Sequence, residues 1–243
     1  MLNSKVGEVE NTSVIVSEKA WNQSMADNLN MKLGFNFRLI DEPKVLTLEI
    51  LEQIKPRFVF FPHWSVPIAS QIFDQFECVV FHMTDLPFGR GGTPLQNLIS
   101  RGFTETKISA LKCTSEIDAG PIYLKRDLSL HGSAQEIYER ASLIIEDMIC
   151  EIVRGEIEPI AQVGTPLIFN RRTPEQGSLD SCRSIDEVFD VIRMLDADGY
   201  PHAFIEIGKF ICYFREAVLG PEGVTSKVQI IERKDYKEVM DER

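Results

Sequence analysis

The sequence predicts an α/β protein with a mostly parallel sheet over residues 1–160, followed by a smaller, β-containing α+β domain over 161–243. Three observations predict this. Short β-rich runs alternate with helical patterns through the first half, as the crossover units of a parallel sheet do. The third of these runs, RFVFF at 57–61, is almost wholly apolar, which suits a strand covered on both faces. Beyond a loop containing Pro159, Gly164 and Pro166, one short helical pattern precedes three strand-like runs.

SVIVSE at 13–18 reads as the first strand, and MADNLNMKLG at 25–34 as a helix closed by Gly34. FNFRLID at 35–41 is the next strand and LTLEILEQI at 46–54 the next helix. After RFVFF come a helix around IASQIFDQF, a buried strand CVVF at 78–81, and a helix from Pro94 through Leu98 with proline in its first turn. TKISALKCT at 106–114 and PIYLKRDLSL at 121–130 alternate like an antiparallel pair joined by SEIDAG. The stretch 133–155 is a long amphipathic helix. Ser133 and Glu136 form its capping box, and Ile137, Ala141, Ile144, Ile145, Met148 and Ile152 make its apolar face. RSIDEVFDVIRMLD is a second-domain helix, with strands near AFIEI, FICYFREAVL and KVQII and a solvated tail, KDYKEVMDER.

Composition narrows the function classes. The formal charge of −11, with no block of clustered Lys and Arg, argues against nucleic acid as the partner, because phosphate binding needs such clusters. The five cysteines, Cys78, Cys113, Cys150, Cys182 and Cys212, are odd in number and widely spaced, as free thiols of a reducing cytosol are. No CxxC or HExxH spacing suggests a metal. The stretch MLNSKVGEVENTS lacks an apolar core, and no run approaches the ~18 apolar residues of a membrane span. The expectation is a cytoplasmic protein with no membrane partner.

Ligands of open α/β sheets sit at the carboxyl ends of the strands, where three stretches concentrate chemistry. RFVFF delivers PHWS (62–65), CVVF delivers HMTD (82–85), and ISALKCT leads into SEIDAG (115–120). His82, His63 and Asp118 could thus converge. Each has a plainer reading: a histidine satisfied by a strand-end carbonyl, a loop histidine packed beside Trp64, and an aspartate capping a tight turn before glycine. The run LPFGRGG adds Gly89, Gly91 and Gly92 around the positive fork of Arg90, but it is neither a Walker A loop nor GxGxxG. Arg171 and Arg172 are either a solvated pair or anion ligands.

Taken together, FHMTDLPFGRGGTP, EIDAGPIY and NRRTPEQGSLD resemble the 10-formyltetrahydrofolate-dependent formyltransferase family, over roughly residues 55–215. The family includes methionyl-tRNA formyltransferase and the nucleotide-sugar N-formyltransferases, which the third motif resembles most. The resemblance implies a Rossmann-like catalytic domain, with His82 and Asp118, 36 positions apart, at the places of the catalytic histidine and aspartate. It implies that Leu86, Pro87, Phe88, Gly89, Arg90 and Gly91 line the slot for the cosubstrate 10-formyltetrahydrofolate. The chain departs from the family at Val80, where the usual pattern has asparagine.

Attack of an amine on the formyl carbon loads negative charge onto the formyl oxygen, so the site needs preorganised donors and a route for protons. His82, supported by Asp118, is the expected main donor. Val80 donates nothing, and His63 is the expected replacement, ahead of Thr84 and Asn97. The expected acceptor is a nucleotide-linked amino sugar such as a pseudaminic-acid-type glycan precursor, with Arg171 and Arg172 on its diphosphate. The alternatives are another amine, methionyl-tRNA or peptidyl, and a non-catalytic folate or nucleotide-sugar binding module. The family resemblance also raises a homodimer.

Overall fold

A computed structural model describes residues 12–155 and 157–233; the expected tail at 234–243 lies outside them. The described residues divide into two compact units, one drawn from 12–91, 106–128 and 139–168, the other from 92–105, 129–138 and 169–233.

The first unit carries a six-stranded sheet. Its strands are β1 (Thr12–Val16), β2 (Asn36–Ile40), β3 (Phe58–Phe61), β4 (Cys78–His82), a two-residue β5 (Arg90–Gly91) outside the sheet, β6 (Glu105–Lys112) and β7 (Ile122–Ser129). The order across the sheet is β2-β1-β3-β4-β6-β7. β1 pairs in parallel with β2 and β3, and β3 with β4, whereas β6 runs antiparallel to β4. The central strands are buried on both faces: Val14, Ile15, Val16, Val59, Phe60 and Phe61 are all at 0% exposure, as the apolar pattern predicts. Each buried phenylalanine stabilises the fold by about 1.5–3 kcal/mol relative to exposure.

Helices α1 (Met25–Leu33), α2 (Leu48–Ile54) and α3 (Ser70–Phe73) follow β1, β2 and β3. α1 ends on Gly34, whose φ of 67° provides the left-handed cap. α2 starts where the Thr47 side chain accepts the Ile50 N–H, two residues later than the pattern suggests because Pro43–Val45 form a separate 3-10 turn. α3 is shorter than predicted; Ile68 and Phe76, outside it, still pack against the core of Val14, Val16, Leu51, Val59, Phe61, Ile72 and Cys78. α1 is tied to the later part of the long helix by Asn28 donating to Glu146 (3.0 Å) and by Lys32 pairing with Glu146 (2.6 Å).

The second unit contains α4 (Pro94–Ile99), the start of α5 (Ala134–Arg154), α6 (Ile185–Leu195) and an antiparallel sheet. The Ser133–Glu136 capping box opens α5 as read from sequence, with Ser133 N donating to Glu136 Oε2 and Glu136 N to Ser133 Oγ. After β8 (Ile168–Phe169), β9 (Ala203–Ile207), β10 (Phe210–Gly220) and β11 (Gly223–Glu232) form the sheet in the order β11-β10-β9, and α6 packs on β10. Among the described residues no helix is long and apolar enough to cross a membrane.

Candidate active site

Strand alternation puts Cys78, Val80 and His82 on one face of β4. Cys78 belongs to the apolar core of that face, and Val80 packs against it. His82 ends the strand at 7% exposure. β6 then carries the chain back past β4, with His82 opposite Ser109. Cys113 N donates to Cys78 O (2.8 Å), holding the turn that presents Asp118.

The imidazole of His82 lies between two acceptors. Nε2 is 2.7 Å from the Gly89 carbonyl oxygen and Nδ1 is 3.4 Å from Asp118 Oδ2. The same carboxylate oxygen accepts the Gly91 N–H at 2.9 Å. Gly91 has a φ of 101°, a geometry that side chains disfavour. Asp118 itself sits at φ 53°, tolerated by aspartate more readily than by most residues. The His82–Asp118 pair and the glycine loop are therefore one hydrogen-bonded assembly.

Gln162 locks this assembly from behind. Its Nε2 donates to Asp118 O (2.8 Å) and Gly120 O (2.9 Å), and its Oε1 accepts from Arg90 Nε (3.1 Å) and Nη2 (2.8 Å). A Cβ on Gly120 would lie 1.8 Å from Lys112 O, so only glycine fits the turn. Arg90 also pairs with the exposed Glu116 (3.2 Å). Its guanidinium is therefore a strut between loop and turn.

The rest of the expected folate loop is equally committed. Gly89 N and Arg90 N both donate to Leu167 O, each at 3.0 Å, and Phe88 N donates to Asp85 O. Leu86 is a core residue at 1% exposure, joined to Pro87 by a cis peptide. Thr84, fully buried, donates its hydroxyl to Gly89 O.

His63, also at positive φ (53°), faces the loop after β1. Its Nδ1 accepts from Trp21 Nε1 (3.2 Å) and lies 3.2 Å from Asn22 Nδ2. Two donors at one nitrogen make Nδ1 the lone-pair side and put the ring proton on Nε2. Burial, and then the charge of Lys19, push the His63 pKa down to about 3, so the ring is neutral at ordinary pH. Asn22, fully buried, also donates to Ser17 Oγ and accepts from Ser142 Oγ.

In the second unit, Arg171 and Arg172 have a companion that sequence reasoning missed. Arg172 N donates to Thr93 Oγ1 (3.0 Å), and Arg172 Nη2 to Gln176 O (2.9 Å). Arg101 holds Asn97 O and Oδ1 through Nη1 and stacks over Phe169 at 4.6 Å. Asn97 Nδ2 in turn donates to Gly92 O, Thr93 O and Asn170 O, which makes it a loop clamp. Desolvation, and then Arg101, lower the Arg172 pKa from its ordinary value. Among the described residues Arg101, Arg171 and Arg172 meet no carboxylate, unlike Arg90, Arg126, Arg193 and Arg233.

Gln162 and Arg101 carried no sequence signal, because each acts through a contact distant in the chain. Among the described residues no group of three or more His, Cys, Asp or Glu is placed to hold a metal ion.

A family model described as methionyl-tRNA formyltransferase, C-terminal domain, matches residues 174–231. A methionyl-tRNA formyltransferase of Streptococcus pyogenes is 28% identical over 160 residues, which cover 63% of this chain and 51% of the relative. The chain thus spans about half the length of the curated relatives it matches. The structure of a methionyl-tRNA formyltransferase from Clostridium thermocellum is 45% identical, with a TM-score of 0.88 over 91% of this chain and 99% of that one. A sugar N-formyltransferase from a Shewanella species shares the fold at 16% identity, with a TM-score of 0.63 over 92% of this chain and 98% of that one. With 45% identity along nearly the whole of a solved relative, and with His82, Asp118 and the glycine loop assembled as described, the chain belongs to the 10-formyltetrahydrofolate-dependent formyltransferase family.

Proposed function

We propose that the protein transfers the formyl group of 10-formyltetrahydrofolate to a primary amine, with methionyl-tRNA as the first acceptor to consider. The observation that carries the chemistry is the His82–Asp118 pair bonded into the 89–91 loop. The methionyl-tRNA reading is supported by the 45% identity to a protein of that name and by the match of residues 174–231. It displaces the amino-sugar acceptor expected from sequence as the leading reading.

In this proposal Asp118 favours a proton on His82 Nδ1, and Nε2–H faces the reacting formyl group. To donate there, His82 must share that hydrogen with the Gly89 carbonyl or be released from it. His63 supplies a neutral donor from the adjacent strand end, in place of the amide absent at Val80. The 86–91 loop lines the folate slot. The apolar end of β3 fits an aromatic ring system, and the indole Nε1 of Trp64, buried without a partner among the described residues, fits an acceptor atom of such a ligand.

A nucleotide-linked amino sugar is the second reading. Its support is the net charge of −11, which repels a polyanion, together with three arginines that meet no carboxylate among the described residues and suit a diphosphate. The test is incubation with 10-formyltetrahydrofolate and a panel of methionyl-tRNA, nucleotide amino sugars and simple amines, following the gain of one formyl group by mass. Transfer to tRNA alone supports the first reading and transfer to a sugar alone the second. Folate binding without transfer to any amine would replace both with a binding module.

A further inference from the structure

Trp64 follows the carboxyl end of β3, beside the end of β4. The parallel register sets Phe61, the last residue of β3, next to Val80, and the chain turns at His63 (φ 53°) before Trp64. The Trp64 ring meets Phe61 edge-on, with centroids 5.6 Å apart, and Trp64, Val80 and Cys113 all pack against the same apolar cluster. That cluster lies on the face of β4 that also carries His82. Within this apolar setting the indole Nε1 is shielded from solvent and has no hydrogen-bond partner among the described residues. A buried donor left unmade is costly, and native structures rarely keep one without a role.

Three donors around the glycine loop are already engaged. His82 Nε2 lies against Gly89 O, Thr84 Oγ1 donates to the same oxygen, and Gly91 N is held by Asp118. Formyl transfer makes a bond between the acceptor nitrogen and the formyl carbon and breaks the bond from that carbon to the folate nitrogen. One proton leaves the amine and one reaches the folate nitrogen, while negative charge builds on the formyl oxygen. A neutral N–H that keeps its proton stabilises this charge without entering the proton traffic. We propose that the Trp64 indole N–H donates to the formyl oxygen of bound 10-formyltetrahydrofolate, adding a donor that position 80 lacks. This rests on the formyl-transfer reading.

The chain has two tryptophans, so a nitrogen–proton correlation spectrum of the labelled protein shows two indole signals, assigned with Trp21→Phe and Trp64→Phe. The full chain is titrated with 10-formyl-5,8-dideazafolate and, separately, with the same compound lacking the formyl group. Calorimetry establishes binding in each case. The expected result is a downfield displacement of the Trp64 signal with the formyl compound alone, and a Trp64→Phe variant that binds both compounds normally but transfers formyl about 100-fold more slowly. Equal displacement by both compounds would place the N–H against the ring system and overturn the proposal. Binding without displacement, or normal turnover by Trp64→Phe, would overturn it as well. Failure of either compound to bind would instead remove the formyl-transfer reading, and the proposal with it.

Discussion

His82 and Asp118 face each other across 3.4 Å, and the carboxylate oxygen nearest the ring also holds the Gly91 N–H. A neutral imidazole has one N–H, yet His82 is flanked by two acceptors, Gly89 O and Asp118 Oδ2. Only the protonated ring satisfies both. Its two nitrogens are therefore held by two different segments, Nε2 by the glycine loop and Nδ1 by the turn at Asp118.

Asp118→Asn tests this. Asparagine is nearly isosteric but carries no charge to support a cationic His82. The expected outcome is a thermal midpoint and folate affinity close to wild type, with kcat reduced about 100-fold or more. Near-normal turnover would remove Asp118 from its assigned role.

Gln162→Ala probes the lock behind the pair. The lost side chain frees Arg90 and the carbonyls of Asp118 and Gly120 together. Hydrogen exchange should quicken in both 88–92 and 115–120, and kcat should fall about 10-fold or more, because a misplaced carboxylate no longer aligns the ring. Unchanged exchange in either segment would show that the amide is dispensable.

These residues mark the limit of what the sequence discloses. Strands and helices were legible because burial imposes a period: Val59 to Phe61 are apolar throughout, and the buried residues of α5, from Ile137 to Ile152, recur at helical spacing. His82 and Asp118 were legible because they stand beside glycine turns at strand ends. Gln162 was not, because an amide in a loop has no periodicity and its partners lie 42 to 72 positions away. Trp64 stood out only as the neighbour of His63, since a sequence does not show that an indole nitrogen is buried without a partner among the described residues. The charge of the whole chain suggested a small acceptor, yet charge does not record ancestry, and a solved relative at 45% identity bears the name methionyl-tRNA formyltransferase.

His63 predicts a pH dependence with a definite sign. Its folded pKa, about 3, lies below its ordinary 6.5, so between these values the unfolded chain binds a proton there that the folded chain does not. Its contribution to stability is complete above about pH 6.5 and is lost as pH falls toward 3. Denaturant melts of wild type and His63→Gln should therefore converge as pH is lowered through this window. Parallel curves would contradict the assignment. In turnover, His63→Ala should lower kcat about 100-fold with folate affinity kept, and Val80→Asn added to it should restore part of the rate.

Arg101 and Arg172 predict where the acceptor is held. Burial first, and the charge of Arg101 second, lower the Arg172 pKa, and no carboxylate among the described residues offsets the two guanidiniums, so an incoming anion is favoured there. Arg172→Ala and Arg101→Ala should each raise the acceptor KM about 10-fold, with kcat and folate affinity nearly unchanged, because a phosphate contact acts on binding. Arg171→Ala, at an exposed position, should do less. Salt then separates the acceptors. For a tRNA, log KM rises steeply with log salt and each removed arginine lowers the slope by about 1, whereas a nucleotide sugar with one diphosphate gives a shallow dependence. Equal loss of folate binding in Arg172→Ala would show that the arginine serves the fold through Thr93 and Gln176, and would end its assignment to the acceptor.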